Sequence, residues 1–357
     1  MRVKLTLIAA LAVAAEFAIP VVVSVSAAQA ATVDPTTTSV SGPCSDIVAL
    51  GETTVCTAVV VDTAAVGATT PTGTVTFTSD TSGGTFADGA SCTLAPATDL
   101  GEAASCSVSY LSGLVSPGAE TITASYGGDS GHAVSSGQAA MTVTLRPTSV
   151  SLTCSPSAVA IGQATSCAAI VTDTVPFGAT TPTGTVSFTD GTHKGNFTSV
   201  GSCTLAANDA VLSSSCSLTF TTPPQLPFGS QTVVASYGGD TGNGASGGQV
   251  QITVSFRVTS TNVSCQELVS VLSRCTATVS DISPGTATAP AGTVIFSSSG
   301  PGVFLATQCT LVASETSASC TVTYATPEGV PFAGQVITAI YEDDAIHFDS
   351  LGSTALN

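Results

Sequence analysis

Twelve cysteines fall into three sets of four, and this constrains the chain more than any other feature. The sets are Cys44, Cys56, Cys92, Cys106; Cys154, Cys167, Cys203, Cys216; and Cys265, Cys275, Cys309, Cys320. Gaps within them run 12-36-14, 13-36-13 and 10-34-11, so each set is a near copy of the one before. Other letters repeat with the same period. TTPTGTV stands at 69–75 and again at 180–186, and TAPAGTV at 288–294. Such a period is too long for a solenoid repeat and suits an independent domain. An even cysteine count then predicts three copies of one disulfide-bonded unit.

The second copy shows what each unit builds. TSVSLTC (148–154), ATSCAAIVTD (164–173), GTVSFTD (184–190), SCTLA (202–206), SSCSLTF (214–220), QTVVASY (231–237) and QVQITVSF (249–256) are short stretches of period 2. Gly, Pro, Asp and Asn separate them, and no stretch sustains a helical period. A composition rich in Thr, Val, Ser and Gly agrees with an all-β chain. Seven short strands in about 110 residues predict an immunoglobulin-like sandwich. TTPTGTV then reads as the turn into the third strand: Pro fixes φ, and Gly permits a conformation other residues avoid.

Charge removes several function classes. Six Lys and Arg stand against 23 Asp and Glu, a net charge of −17. Nucleic acid needs a cationic face to displace counterions, and anionic membranes attract basic segments, so neither is an expected partner. The N-terminal segment 1–30 reads as a secretory signal: Arg2 and Lys4, then an apolar run, then Ala28-Gln29-Ala30 as a small-x-small cleavage site. Glu16 and Pro20 interrupt the apolar run and argue against a retained anchor. Cleavage leaves four cations (Arg146, Lys194, Arg257 and Arg274) against 22 acids, a net −18. The end, HFDSLGSTALN, shows no sorting motif or apolar tail, so an extracellular location, secreted or cell-surface associated, is expected.

Specific letters carry a family likeness. PTGTVTF (71–77), PTGTVSF (182–188) and PAGTVIF (290–296), with SYGGD at 125–129 and 236–240, resemble the third and sixth strands of bacterial immunoglobulin-like (Big-type) repeat domains. The resemblance covers essentially all of 36–357. It implies three tandem sandwiches, each of about seven antiparallel strands with two disulfides: domains at 31–145, 146–256 and 257–357 after the signal at 1–30. It also implies a role as stalk, adhesive arm or enzyme appendage. The third copy departs from the pattern, with Tyr341-Glu342-Asp343-Asp344 in place of SYGGD and a short last strand.

Four cysteines per unit allow three pairings. The first two of each set lie on the arms of the first hairpin and the last two on the arms of a later one. In the third copy both gaps shrink, as trimming a hairpin loop would allow. Hence Cys44–Cys56, Cys92–Cys106, Cys154–Cys167, Cys203–Cys216, Cys265–Cys275 and Cys309–Cys320 are the expected bridges. The antibody-type bridge between second and sixth strands is excluded for want of a cysteine in QTVVASY. Thiolate–metal binding is disfavoured because CxxC spacing is absent and export favours oxidation.

Candidate sites are sparse. Tyr110, Tyr126, Tyr237, Tyr324 and Tyr341 all fall at recurring framework positions, as do Phe77, Phe188, Phe296 and Phe86, Phe197, Phe304. They read as core rather than as a sugar platform. After the sixth strand the copies read YGGDSGHAVS, YGGDTGNGAS and YEDDAIHFDS. Asp129, Asp240 and Asp344 there suit turn caps. The functional alternative is calcium, with Asp129, Asp240, Glu342, Asp343, Asp344 and Asp349 as candidate ligands, since carboxylates clustered in a loop supply hard oxygens. No other cofactor is indicated. No nucleophile elbow, zinc motif or phosphate loop appears among the three histidines (His132, His193 and His347) and the repeated Ser and Asp, so no enzyme is expected. A Lys–Asn isopeptide would need a core lysine, and the one lysine left after cleavage, Lys194, sits in the polar run GTHKGN.

The linkers TVTL-RPTSVSL and TVSF-RVTSTNV are minimal and limit bending. The expectation is a non-enzymatic structural spacer or adhesion module. Its partner would be another surface protein or a glycan, met through loops or strand edges. A calcium-dependent adhesin and an accessory module of a larger secreted hydrolase are the alternatives.

Overall fold

A computed structural model describes residues 33–357 apart from 81–82, 98–101, 115, 177, 192–195, 198–200, 209–211 and 224–227. The expected signal segment, His193 and Lys194 lie outside the described residues. Six sheets form three facing pairs, and nearly all the described regular structure is strand.

The second unit sets the pattern. One sheet runs Thr148–Ser155, Ala164–Asp173, Ser213–Thr221 and Asn196–Phe197, with Ala206–Asn208 also on Ser213–Thr221. The other runs Ala158–Ala160, Ser246–Ser255, Gly229–Tyr237, Thr185–Asp190 and Ser202–Thr204. Every pairing is antiparallel except Ala158–Ala160 on Ser246–Ser255. The first unit repeats this order, with Ile47–Ala49 as its parallel strand. Sequence periodicity reveals the six longer strands, and the seventh stretch, SCTLA (202–206), divides into Ser202–Thr204 on one sheet and the start of Ala206–Asn208 on the other. The three-residue parallel strand is too short to show a period.

Alternation builds the core. In Ala164–Asp173, Cys167, Ala169 and Val171 point inward and are fully buried, and their neighbours face out. Phe188, Phe220, Tyr237 and Ile252 meet them from the other strands. The equivalent Phe77, Tyr110, Tyr126 and Met141 fill the first core, and Phe296, Tyr324 and Tyr341 the third. The repeated aromatics are therefore core, and Phe86 and Phe197 pack beside them. Gly73, Gly184 and Gly292 stand at φ +96, +95 and +102, the region that favours glycine in the Pro-x-Gly turn.

The third unit differs at one end. Its first strand, Thr259–Val269, runs straight into Leu272–Asp281 as a long hairpin with a register shift between Glu267 and Val269. No parallel strand follows, and its second sheet has four strands.

Five disulfides are present: Cys92–Cys106, Cys154–Cys167, Cys203–Cys216, Cys265–Cys275 and Cys309–Cys320. Cys154 and Cys265 lie directly opposite Cys167 and Cys275 within one sheet. The later bridges are not on the arms of a single hairpin, as spacing suggested. Cys203 belongs to one sheet and Cys216 to the other, because the chain changes sheets at Leu205, so these bridges cross the sandwich. The sixth expected pair, Cys44 and Cys56, is present as two buried free thiols, and the Cys44 thiol donates to the Ser41 carbonyl at 3.9 Å. The strand Thr36–Ser41 ends with Ser41 opposite Thr57, and Gly42 at φ +92 turns the chain into a short 3-10 turn at Pro43–Ser45. Cys44 therefore does not stand opposite Cys56 as Cys154 stands opposite Cys167.

Candidate functional site: the joints between units

Where one unit ends and the next begins, a buried arginine crosses the joint. Arg146 follows the last strand of the first unit and is fully buried. Its Nε donates to Asp173 Oδ2 of the second unit at 2.5 Å, and its Nη1 donates to the Leu50 carbonyl of the first at 2.5 Å. Its backbone is held by Gly242 and Gly244, which belong to the second unit. The next joint repeats the arrangement. Arg257 Nε donates to Asp281 Oδ2 and its Nη1 to the Ile161 carbonyl, each at 2.5 Å, and Nη2 reaches the Ser283 carbonyl at 3.5 Å. The accepting carbonyls sit on matching turns, Ala49-Leu50-Gly51-Glu52 and Ala160-Ile161-Gly162-Gln163. Glu52 and Gln163 close those turns by accepting from the Ala49 and Ala160 amides.

The aspartate in each joint also shapes its own loop. Asp173 Oδ1 accepts from the Val175 amide and Oδ2 from the Thr180 amide. Asp281 does the same with Ser283 and Thr288. Burial alone would raise these carboxyls, but the arginine and the amides outweigh it and hold them below the ordinary range. The first unit keeps the cradle around Asp62, with the amides of Ala64 and Thr69, but has Asp34 at the arginine's place.

At the second joint aromatic rings add to the arginine. Phe256, beside Arg257, stacks on Phe228 at 3.7 Å and meets Phe348 of the third unit at 4.9 Å. Phe228 and Phe348 are exposed on their outer sides. The first joint has Leu145 beside Arg146, with no ring cluster among the described residues.

The candidate calcium ligands are distributed differently. Asp129 Oδ1 accepts from the amides of Gly131 and His132 and from His132 Nδ1, and its Oδ2 from the amide and hydroxyl of Thr72. Asp240 holds Gly242, Asn243 and Thr183 in the same way, and Asp344 holds Ile346, His347 and Ala291. Each ties the turn after the sixth strand to the Pro-x-Gly turn, with its lone pairs already filled by protein donors. These bonds drive Asp129 and Asp240 far below the ordinary carboxylate range against the effect of burial. Glu342 accepts from the Thr293 hydroxyl, and Asp343 and Asp349 are exposed. Among the described residues no group of three His, Cys, Asp or Glu is placed to hold a metal.

Residues 152–255, from within the first strand of the second sandwich to the end of its last, match the family described as bacterial Ig-like domain (group 3). The second unit is thus similar to a bacterial Ig-like domain. The first Ig-like unit shares the sheet order of the matched one, and the third shares it apart from the missing parallel strand. No match is found among curated proteins. Solved structures similar to the Ig-like array include FdeC, an Escherichia coli adhesin, at 12% identity over 88% of this chain and 95% of that one, with a TM-score of 0.24. Invasin, a bacterial integrin-binding protein, is similar at 15% identity over 85% and 56%, with a TM-score of 0.36. The adhesin InvE of Yersinia pseudotuberculosis is similar at 17% identity over 62% and 58%, with a TM-score of 0.26. The chain thus spans little more than half of the latter two.

Sequence reasoning missed the joint arginines as site residues, although a signal was available. In a chain with so few cations, Arg146 and Arg257 fall at the same position of successive repeats, and that coincidence is informative. Phe228, Phe256 and Phe348 were harder to find because they do not recur between copies.

Proposed function

We propose that this chain is an extracellular, non-enzymatic spacer or adhesion module whose Ig-like units are fixed end to end as a semi-rigid rod. The observation that carries this reading is the arginine joint, made twice with the same atoms. A guanidinium held by the next unit's carboxylate and the previous unit's carbonyl resists both bending and twisting. Bending the joint open would part the guanidinium from the previous unit's carbonyl and leave that buried carbonyl unpaired, a cost of about 1–3 kcal/mol at each joint. The sheet-crossing disulfides support the reading, since they tie the two layers of each unit together. Small-angle scattering of the oxidised chain tests it. The maximum dimension should be that of a rigid array, and Arg146→Ala with Arg257→Ala should broaden the distance distribution. A broad distribution in the unaltered chain would count against the rod.

A further inference from the structure

On the outer face of its second sheet, the third unit carries an aliphatic row absent from the other two. Gln308, Ile295, Ile340 and Leu351 stand directly opposite one another across four strands. Residues so paired share a face. Ile295, Ile340 and Leu351 are 36%, 40% and 63% exposed, and Val336, on the same strand and face as Ile340, is 37% exposed. The same row in the first unit reads Ser91, Thr76, Ser125, Ser136, and in the second Ser202, Ser187, Ser236, Gly247. Two of three copies of one framework thus keep this surface polar, so the fold does not require the aliphatic residues.

Acids border the row. Glu342 follows Ile340 on the same face, and Asp349 precedes Leu351 on it. Together with Asp343 they line an open hollow of about 580 Å³ that Ile340 and Tyr341 complete. A contiguous exposed apolar patch with a charged rim marks an interaction surface. We infer that this face of the third unit is a docking surface for a protein segment presenting aliphatic or aromatic side chains flanked by lysine or arginine. The rim selects the cation. It also argues against a second copy as occupant, since that copy would bring the same acids and a net charge of −17. The inference deepens the spacer reading, which it rests on: the first two units space, and the third presents.

The test uses the full oxidised chain and a face variant, Ile295→Thr with Val336→Thr, Ile340→Ser and Leu351→Ser. Each new residue is the one the first unit carries at that place (Thr76, Thr121, Ser125 and Ser136), so the framework is known to accept it. The probe is a twelve-residue peptide alternating valine with lysine, with a valine–glutamate peptide as control. The lysine peptide should bind the unaltered chain, bind the face variant at least tenfold more weakly, and weaken again with Glu342→Gln and Asp349→Asn. The glutamate peptide should not bind. Equal binding to the face variant would reduce the effect to bulk charge and overturn the inference, as would no binding at all. Sedimentation showing a dimer lost in the face variant would also overturn it, by naming a second copy as occupant. Face-dependent peptide binding alongside a broad scattering distribution in the unaltered chain would mark failure of the rod with the docking face intact, and a narrow distribution without peptide binding the reverse.

Discussion

Asp34 and Arg146 occupy the same place in successive units. Each makes the same isolated parallel bridge, Asp34 to His132 and Arg146 to Asn243. The arginine recurs as Arg257, bridged to His347, and an aspartate stands at this place in the first unit. Arg146→Ala should therefore act as a joint mutation. It leaves Asp173 buried beside an empty place, and should cost about 3 kcal/mol in denaturant unfolding. Adding Asp173→Asn should recover part of that loss, because an amide tolerates burial without a cation. A loss below about 0.5 kcal/mol for Arg146→Ala, the scale of ordinary surface changes, would remove the arginine from its assigned role.

His132 should make the first unit sensitive to pH. Its Nδ1 faces Asp129 Oδ1 at 2.7 Å and its Nε2 faces the Thr69 carbonyl at 3.1 Å, with Asp62 at 3.5 Å. Burial lowers its pKa, but Asp129, the Thr69 carbonyl and Asp62 outweigh burial and raise it. A pKa raised on folding gives stability that is whole below about pH 6.5 and lost as pH rises through the folded value. Hydrogen exchange of the strand Thr53–Asp62 should therefore quicken above about pH 6.5 beyond the intrinsic pH effect. His132→Asn, which copies Asn243 of the second unit, should abolish that excess.

The Tyr110 hydroxyl and Ser79 both donate to the buried carboxyl of Glu120. In the third unit Tyr324 donates instead to Gln335 at 2.6 Å, and the second unit has Gln231 at this position. Glu120→Gln keeps an acceptor for Tyr110 and lowers the cost of burial. It should raise the stability of the first unit by about 1 kcal/mol, read by the midpoint of urea unfolding. A fall of similar size would show that this carboxyl has a role the amide cannot fill.

Calcium should leave the melting temperature of the oxidised chain where chelator leaves it. Asp129, Asp240 and Asp344 spend their oxygens on backbone amides, and a bound ion would have to displace them. A rise of several degrees would return these acids to the role of ligands.

The architecture was legible because its signals repeat. Cysteine spacing, the Pro-x-Gly turn and period-2 alternation all recur once per unit, and each has a direct physical cause in a sandwich strand or turn. What escaped was non-local. That Cys203 and Cys216 bridge two sheets depends on the chain switching layers at Leu205. That Cys44 misses its place opposite Cys56 depends on a glycine turn after Ser41. The joints depend on Arg146 meeting Leu50, far back along the chain near the start of the first unit. Ile295, Ile340 and Leu351 form a row only once the register of three strands is known.

The most direct test of the central claim is the relative alignment of the three units in solution, from residual dipolar couplings of backbone amides. Units fixed by Arg146 and Arg257 should share one alignment tensor, and Arg146→Ala with Arg257→Ala should split it into three. Three different tensors in the unaltered chain would contradict the account, whatever the stability of the separate sandwiches.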